Sequence, residues 1–134
     1  MAEDFQKLYE ELIRNLYSQS PEVGPFNQYQ NYLVSPDGTF LGKLTRNKYD
    51  SEGIYNPYGN YGSKYSSTSI FNRYGSYGGK YSAKSPFNKY ANEPPKIFLR
   101  NQFHGYLTLN KYHQNAINTD LFLNRIQSES QFRY

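Results

Sequence analysis

Tyrosine and cationic side chains alternate along one acid-free stretch of the chain, and together they have the chemistry to bind a partner. Residues 54–92 contain no Asp or Glu, whereas eight of the chain's 16 tyrosines and five cations fall there. The cations are Lys64, Arg73, Lys80, Lys84 and Lys89. Where proteins bind single-stranded nucleic acid, cations follow the phosphates and aromatic rings stack on the bases. Tyrosine is also common in protein recognition, because its large rigid ring loses little entropy on binding.

An internal repeat sets the spacing of these side chains. Residues 54–69 align without gaps on residues 70–85, ten of the sixteen positions are identical, and a third copy starts at Phe87 and ends before Glu93. The repeat unit is [YF]-N-x-Y-G-x-Y-G-x-K-Y-S, so equivalent side chains of successive copies would form a regularly spaced surface. The candidate binding residues are therefore Tyr58, Tyr61, Lys64, Tyr65, Arg73, Tyr74, Tyr77, Lys80, Tyr81 and Lys89.

The backbone of the repeat is predicted to be neither helix nor strand. Its aromatic residues are spaced three, three and four apart, whereas a strand requires a period of two. A helix is disfavoured because each glycine costs about 1 kcal/mol relative to alanine. Stacked turns or an extended backbone with three residues per turn fit better, and we expect irregular Tyr/Gly-rich loops over residues 54–92. An unfolded tract of the prion-like [GS]-Y-[GS] type is the alternative.

A second similarity, offset by 63 residues, predicts the elements that hold these loops. The pattern G-x-L-T-x-N-K-Y occurs at residues 42–49 and again at 105–112, and a Phe stands two residues before each copy. Each copy follows a short apolar run and a turn, and the first turn, residues 35–38, has the Pro and Asp-Gly typical of hairpins. The sequence therefore predicts two pseudo-repeated β-hairpin units, at residues 25–49 and 93–112, that form a small antiparallel sheet.

Two helices complete the predicted α+β fold. Apolar residues recur at helical spacing from Phe5 to Tyr17, which predicts an amphipathic N-terminal helix over residues 4–18. A capping sequence at residues 118–120 precedes an apolar run, which predicts a short C-terminal helix over residues 118–127. We expect residues 1–134 to form a single domain, with the N-terminal helix covering one face of the sheet.

Catalytic chemistry has no positive support in the sequence. The two histidines, His104 and His113, lack the spacing of metal ligands, and the absence of Cys excludes a thiol nucleophile. No glycine-rich phosphate loop is recognised, so neither a cofactor nor a metal is predicted. The sequence has no apolar run of membrane-spanning length and no recognisable secretory signal, so we expect a cytoplasmic protein that does not contact membranes.

The Tyr-Gly array followed by G-x-L-T-x-N-K-Y resembles a group of small bacterial proteins of unknown function with Tyr-Gly repeats, over roughly residues 25–112. The resemblance implies a bacterial globular domain and carries no activity or cofactor. Our main hypothesis is a non-catalytic binding or assembly module that presents its Tyr/Lys-rich loops to a protein partner or to a second copy of itself. The alternatives are a protein that binds single-stranded nucleic acid, a nucleotide or another small anionic ligand through the same loops, and an enzyme with an unrecognised site.

Overall fold

The fold is built on a five-stranded sheet, and one helix follows its last strand. The computed structural model describes residues 7–8, 26 and 29–128. The elements are β1 (Tyr32–Val34), β2 (Phe40–Lys43), β3 (Lys96–Leu99), β4 (Gln102–Thr108), β5 (Ala116–Asn118) and α1 (Thr119–Ser128). The strand order across the sheet is β2-β1-β3-β4-β5. The predicted α+β class and the predicted C-terminal helix are confirmed.

The sheet is mixed rather than antiparallel, because its last strand runs parallel to its neighbour. The pairs β1–β2, β1–β3 and β3–β4 are antiparallel, whereas β5 pairs with β4 in parallel, in the register Tyr106↔Ala116. Only residues 109–115 connect these two strands, which is too short for the usual crossover helix. The prediction of an antiparallel sheet is therefore wrong at this edge.

Each hairpin of the sheet bends at a glycine with positive φ. Gly42 pairs with Leu33 and has φ 114°, and Gly105 pairs with Ile97 and has φ 146°. In both hairpins the register shifts directly after that pair, which is the signature of a β-bulge. A bulge bends its strand and increases the local twist, so β2 and β4 both curve at these glycines.

The core joins the sheet, the helix α1 and the Tyr-Gly repeat. Its fully or almost fully buried members are Leu8, Leu33, Leu41, Leu44, Ile54, Ile70, Ile97, Leu99, Leu107, Phe122, Leu123 and Ile126. The helix begins with Asn118 as its cap, since Asn118 Oδ1 accepts the N–H of Leu121 at 3.0 Å. The N-terminal helix predicted over residues 4–18 lies outside the described residues, apart from Lys7 and Leu8, which are helical.

Residues 47–91 form a regular chain of hydrogen-bonded turns, which we call the turn ladder. At each step a backbone N–H donates to the carbonyl three residues earlier, from Asn47 to Ala91, with N···O distances of 3.0–3.4 Å. Each 16-residue copy also contains one step of four residues, because the carbonyls of Gly59 and Gly75 accept the N–H four residues ahead as well. These steps account for the aromatic spacing of three, three and four. The turns are therefore regular, where the sequence predicts irregular loops.

Side chains close most turns of the ladder. Where the first residue of a turn is Asn, Asp or Ser, its side-chain oxygen accepts the N–H two residues ahead, as Asn72 Oδ1 does from Tyr74 at 3.0 Å. The amide group of Asn72 also donates to the carbonyl of Ser66 at 2.9 Å, and Asn56 and Asn88 make the equivalent bond. Backbone groups that no helix or sheet pairs are thereby satisfied.

Isoleucine and aromatic positions of the repeat pack the ladder against the rest of the fold. Ile54 and Ile70 are fully buried. The rings of Tyr55, Phe71 and Phe87 are sixteen residues apart in sequence and pack against one another. The centroid of Phe71 lies 5.8 Å from that of Tyr55 and 6.2 Å from that of Phe87, so adjacent copies lie side by side. The hydroxyl of Tyr55 donates to a carbonyl of α1 at 3.0 Å, and burial raises its pKa above the ordinary value.

The turn between β1 and β2 holds the ladder through Asp37. Its Oδ2 accepts a hydrogen bond from the Tyr77 hydroxyl at 2.6 Å and lies 3.1 Å from Lys84 Nζ, while its Oδ1 accepts the N–H of Thr39 at 2.9 Å. Partial burial alone would raise the pKa of Asp37, but the hydrogen bonds from Tyr77, Thr39 and Lys84 outweigh it and hold the pKa well below its usual range. The ionised carboxylate therefore ties the ladder to the sheet.

Close approach between turns predicts that Gly78 tolerates no side chain. A Cβ there would lie 2.4 Å from the carbonyl oxygen of Asn72 and 2.5 Å from that of Ile70, so the backbone would have to shift. We expect Gly78→Ala to lower the free energy of unfolding by about 2 kcal/mol, the usual cost of overpacking. In the control Gly75→Ala the nearest atom is the side-chain nitrogen of Asn72 at 3.1 Å, so the loss should be smaller. Urea denaturation measures both, and equal losses would contradict the stacking of turns.

Acid should release the Asp37 contact. The ordinary pKa of an aspartate is about 3.9, and because the folded-state pKa is lower, the ionised form stabilises the fold above that pH and stops doing so as pH falls toward the folded-state pKa. We expect Asp37→Asn to lower the free energy of unfolding by about 1 kcal/mol at neutral pH, a value kept small by solvent exposure. Below about pH 4 the difference between the two proteins should shrink. A difference that stays constant in urea titrations across this range would refute the charged contact.

Candidate functional site

Among the residues that the structure describes, seven tyrosine rings project almost entirely into solvent. Each is the third residue of a turn whose first residue is Asn, Ser or Gly, and each keeps between 81% and 97% of its surface exposed. They are Tyr49, Tyr58, Tyr65, Tyr74, Tyr81, Tyr90 and Tyr112. Six of them belong to the turn ladder, whereas Tyr112 follows β4 in a separate turn. Large apolar groups left in water on this scale are typical of a contact surface.

The 16-residue repeat sorts the six ladder tyrosines into two rows. Tyr58, Tyr74 and Tyr90 form the first row, and Tyr49, Tyr65 and Tyr81 form the second. Because the copies lie side by side, each row is carried from one copy to the next. We call these six rings, together with the cations that precede them in sequence, the tyrosine surface.

Hydrogen bonds to the backbone hold the tyrosines in place while their side chains remain exposed. In the first row the N–H groups of Tyr58, Tyr74 and Tyr90 donate to Asn side chains at 2.9–3.0 Å. In the second row Tyr65 donates to Ser63 Oγ at 3.1 Å. The rings are therefore carried by a fixed backbone, and ordering them for binding costs little entropy.

A cation accompanies most of these rings. Lys48, Lys64 and Lys80 each precede a second-row tyrosine and place Nζ 5.5–5.7 Å from its ring centroid, within the range of a cation–π contact. In the first row, Arg73 and Lys89 are exposed directly before Tyr74 and Tyr90. The three lysines of the second row therefore lie beside an exposed ring, and the two cations of the first row adjoin one in sequence.

Three acidic groups in or beside the ladder are engaged by other parts of the fold. Asp50 forms an ion pair with Lys43 at 2.7 Å, and Glu52 accepts a hydrogen bond from the Tyr29 hydroxyl at 2.6 Å. Asp37 is held by Tyr77 and Lys84, as described above. The acid-free stretch 54–92 therefore presents its positive charge without a carboxylate of its own.

A groove of about 480 Å³ lies between the two rows. It is lined by Lys64, Tyr65, Phe71, Asn72, Arg73 and Tyr74. Phe71 supplies an apolar floor, Tyr65 and Tyr74 supply exposed rings from opposite rows, and Lys64 and Arg73 supply positive charge. The groove can therefore hold a flat apolar group next to an anionic one.

The structure separates the ten residues predicted to bind into two sets. Eight of them are exposed in the ladder, namely Tyr58, Lys64, Tyr65, Arg73, Tyr74, Lys80, Tyr81 and Lys89. Tyr61 and Tyr77 are instead engaged within the fold. The ring of Tyr61 packs edge-on against Phe40 with centroids 5.0 Å apart, and Tyr77 donates its hydroxyl to Asp37. We therefore exclude these two tyrosines from the tyrosine surface.

Sequence reasoning missed three exposed rings that have a common signal. Tyr49, Tyr90 and Tyr112 all end the tripeptide Asn-Lys-Tyr, which occurs at residues 47–49, 88–90 and 110–112. In each case the Asn side chain accepts the N–H of the tyrosine at 2.9–3.1 Å. The tripeptide could therefore have been recognised as a side-chain-capped turn that leaves its tyrosine outside.

Other chemistry has little support in the part of the chain that the structure describes. His113 packs edge-on against Tyr106 with ring centroids 4.6 Å apart, and His104 lies in β4. Across residues 7–8, 26 and 29–128, no three His, Asp or Glu side chains come together as metal ligands. No helix in those same residues combines the length and apolar character needed to cross a bilayer.

Substitution should separate exposed rings from packed ones. Tyr74 is 97% exposed, so Tyr74→Ala should change the free energy of unfolding by no more than about 0.5 kcal/mol. Tyr77, three residues away, packs against the core and binds Asp37, so Tyr77→Ala should cost about 2 kcal/mol or more. Thermal and urea unfolding of both variants would measure the contrast. Equal losses would mean that the outer rings also stabilise the fold.

Comparison with known proteins adds no relative of this chain. No family model, no curated protein and no solved structure matches it. The role of the tyrosine surface therefore has to follow from its own geometry, exposure and charge.

Proposed function

We propose that this protein is a non-catalytic binding module whose tyrosine surface is the contact surface. The observation that carries the proposal is the set of exposed rings, each at least 81% accessible, on a hydrogen-bonded backbone. Rings so exposed add little to folding, but in a complex each would bury a large apolar area. A fixed backbone also lowers the entropic cost of forming that complex.

Charge restricts the partner to one that carries negative groups. Residues 54–92 have five cations and no acid, and of these cations only Lys84 forms an ion pair with another described residue. Two copies of this surface would repel each other face to face, so self-association through it is disfavoured. A macromolecule with anionic groups fits both the sign of the charge and the extent of the surface.

The two hairpins, which we propose are copies of one unit, hold this surface from both sides. At the start of the ladder, Lys43 N–H donates to Glu52 at 2.7 Å and Ile54 N–H donates back to Lys43 at 3.1 Å. Toward its end, Leu109 N–H donates to Pro86 at 3.1 Å. The matching bulges at Gly42 and Gly105 support the duplication, since both glycines lie where another segment crosses.

Capture from a cell extract of the source tests the proposal. Immobilised protein should retain macromolecules at low ionic strength, and a triple variant with Tyr58, Tyr65 and Tyr74 replaced by Ser should lose at least about nine-tenths of them, as expected when hot-spot rings are removed. The matched control is Tyr112→Ser, which removes an 84% exposed ring outside the ladder. Unfolding midpoints of all three proteins should agree.

Treating the retained material with nuclease or protease assigns its class. A triple variant that folds normally and retains the same material as the unchanged protein would refute the tyrosine surface as the contact surface, whichever class of macromolecule is bound.

A further inference from the structure

We infer that the ligand of the tyrosine surface is single-stranded nucleic acid, an inference that rests on the proposed function and names its partner. The strand would run along the rows, with bases stacked on the exposed rings and phosphates close to the neighbouring cations. The groove between Tyr65 and Tyr74 is the subsite with the clearest geometry, since it combines exposed rings, an apolar floor at Phe71 and two cations.

Charge complementarity supports this choice over an acidic protein. A nucleic-acid strand supplies one negative charge per nucleotide, in a repeating array that matches repeating cations. Lys64 and Lys80 occupy equivalent positions sixteen residues apart, and Arg73 and Lys89 form a second such pair. Protein interfaces, by contrast, are generally depleted in lysine.

Each pair of a tyrosine ring and its neighbouring lysine has the groups needed to bind one nucleotide. Lys64 Nζ lies 5.5 Å from the centre of the Tyr65 ring, and Lys80 Nζ lies 5.6 Å from that of Tyr81. A base stacked on such a ring brings its own phosphate near the adjacent ammonium group. Only unpaired bases offer their faces to a protein ring, so a duplex would gain the charge contacts without the stacking.

Binding should be almost independent of base sequence. The side chains best suited to reading base edges are asparagines, and the three that recur in the repeat, Asn56, Asn72 and Asn88, have both ends of the amide bonded. For example, Asn72 Oδ1 accepts from Tyr74 and its Nδ2 donates to Ser66. Asn88 is engaged in the same way. Stacking on tyrosine accepts every base, so the surface recognises the single strand rather than its sequence.

Fluorescence anisotropy with a labelled 20-nucleotide oligo(dT) tests the inference. Four cations of the stretch 54–92 make no ion pair with a described residue, so each is available for a phosphate. For a single strand, each phosphate contact contributes about −0.7 to the slope of log affinity against log salt concentration. Affinity should therefore fall with salt with a slope between about −2 and −3. A hairpin duplex of the same charge, polyglutamate and a sulfated polysaccharide are the comparison probes, and each should bind at least about tenfold more weakly, since each lacks unpaired bases to stack.

Variants separate stacking from charge. Tyr65→Ala should weaken oligo(dT) binding about tenfold without changing the salt slope, whereas Tyr65→Phe should keep the affinity because it keeps the ring. Lys64→Gln should reduce the slope by about 0.7. Tyr112→Ala, outside the ladder, should bind like the unchanged protein.

Two kinds of result would overturn the inference. If oligo(dT) fails to bind at low salt while the extract still yields tyrosine-dependent, protease-sensitive material, the binding module stands and its ligand is a protein. If the duplex or the other polyanions bind as tightly as oligo(dT), or if Tyr65→Ala changes nothing, the surface attracts charge alone and the stacking model is wrong. If the tyrosine substitutions change neither oligo(dT) binding nor the material retained from the extract, the proposed function is wrong as well.

Discussion

The hydrogen bond that a short polar side chain accepts from the backbone N–H two residues ahead is the constraint on which the rest of this structure depends. Few backbone groups of the ladder bond to a strand, as Glu52 and Ile54 do to Lys43, yet the ladder delivers the fully buried Ile54 and Ile70 to the core. Burial next to unpaired amides would be costly, and the Asn and Ser caps together with the three-residue turn bonds prevent it. Each Asn of the repeat also reaches back six residues, so one residue type both closes a turn and joins it to an earlier one.

The turns fix which positions of the ladder carry aromatic rings, and tertiary packing decides which of these rings stabilise the fold and which remain outside. At some turns the third residue is a ring that faces the core, such as Tyr55, and at others it is a ring that faces water, such as Tyr58. Tyr61 and Tyr77 occupy third positions on the side of the ladder that meets the sheet, where Gly42 leaves room: a Cβ there would lie 2.7 Å from the Cβ of Tyr61. The approach of Tyr61 to the sheet therefore depends on a glycine of β2 that lies outside the repeat.

The sequence predicts the elements that have local signals and misses those that depend on contacts distant in the chain. Strand–turn–strand patterns and the Asn118 cap mark β1 to β4 and α1 correctly, because each signal lies within a few residues. The strand β5 has only three residues, Ala116–Asn118, and its strand character comes from parallel pairing with β4, which nothing in its own composition indicates. The spacing of aromatics shows that turns are present, but it does not distinguish Tyr74 from Tyr77, because both obey the same three-residue step and only tertiary packing separates them.

The copies of the repeat differ at exposed positions in a way that bears on why the outer tyrosines are there. Position 57 is Pro where position 73 is Arg, and position 67 is Ser where position 83 is Ala, and all four residues are exposed. The turns tolerate these differences, since the second position of such a turn accepts Pro as well as other residues. At the equally exposed outer third positions, however, every ladder copy carries Tyr. The proposed function would account for this pattern, since a ligand that stacks on the ring would use a tyrosine at each position whose side chain the fold leaves exposed.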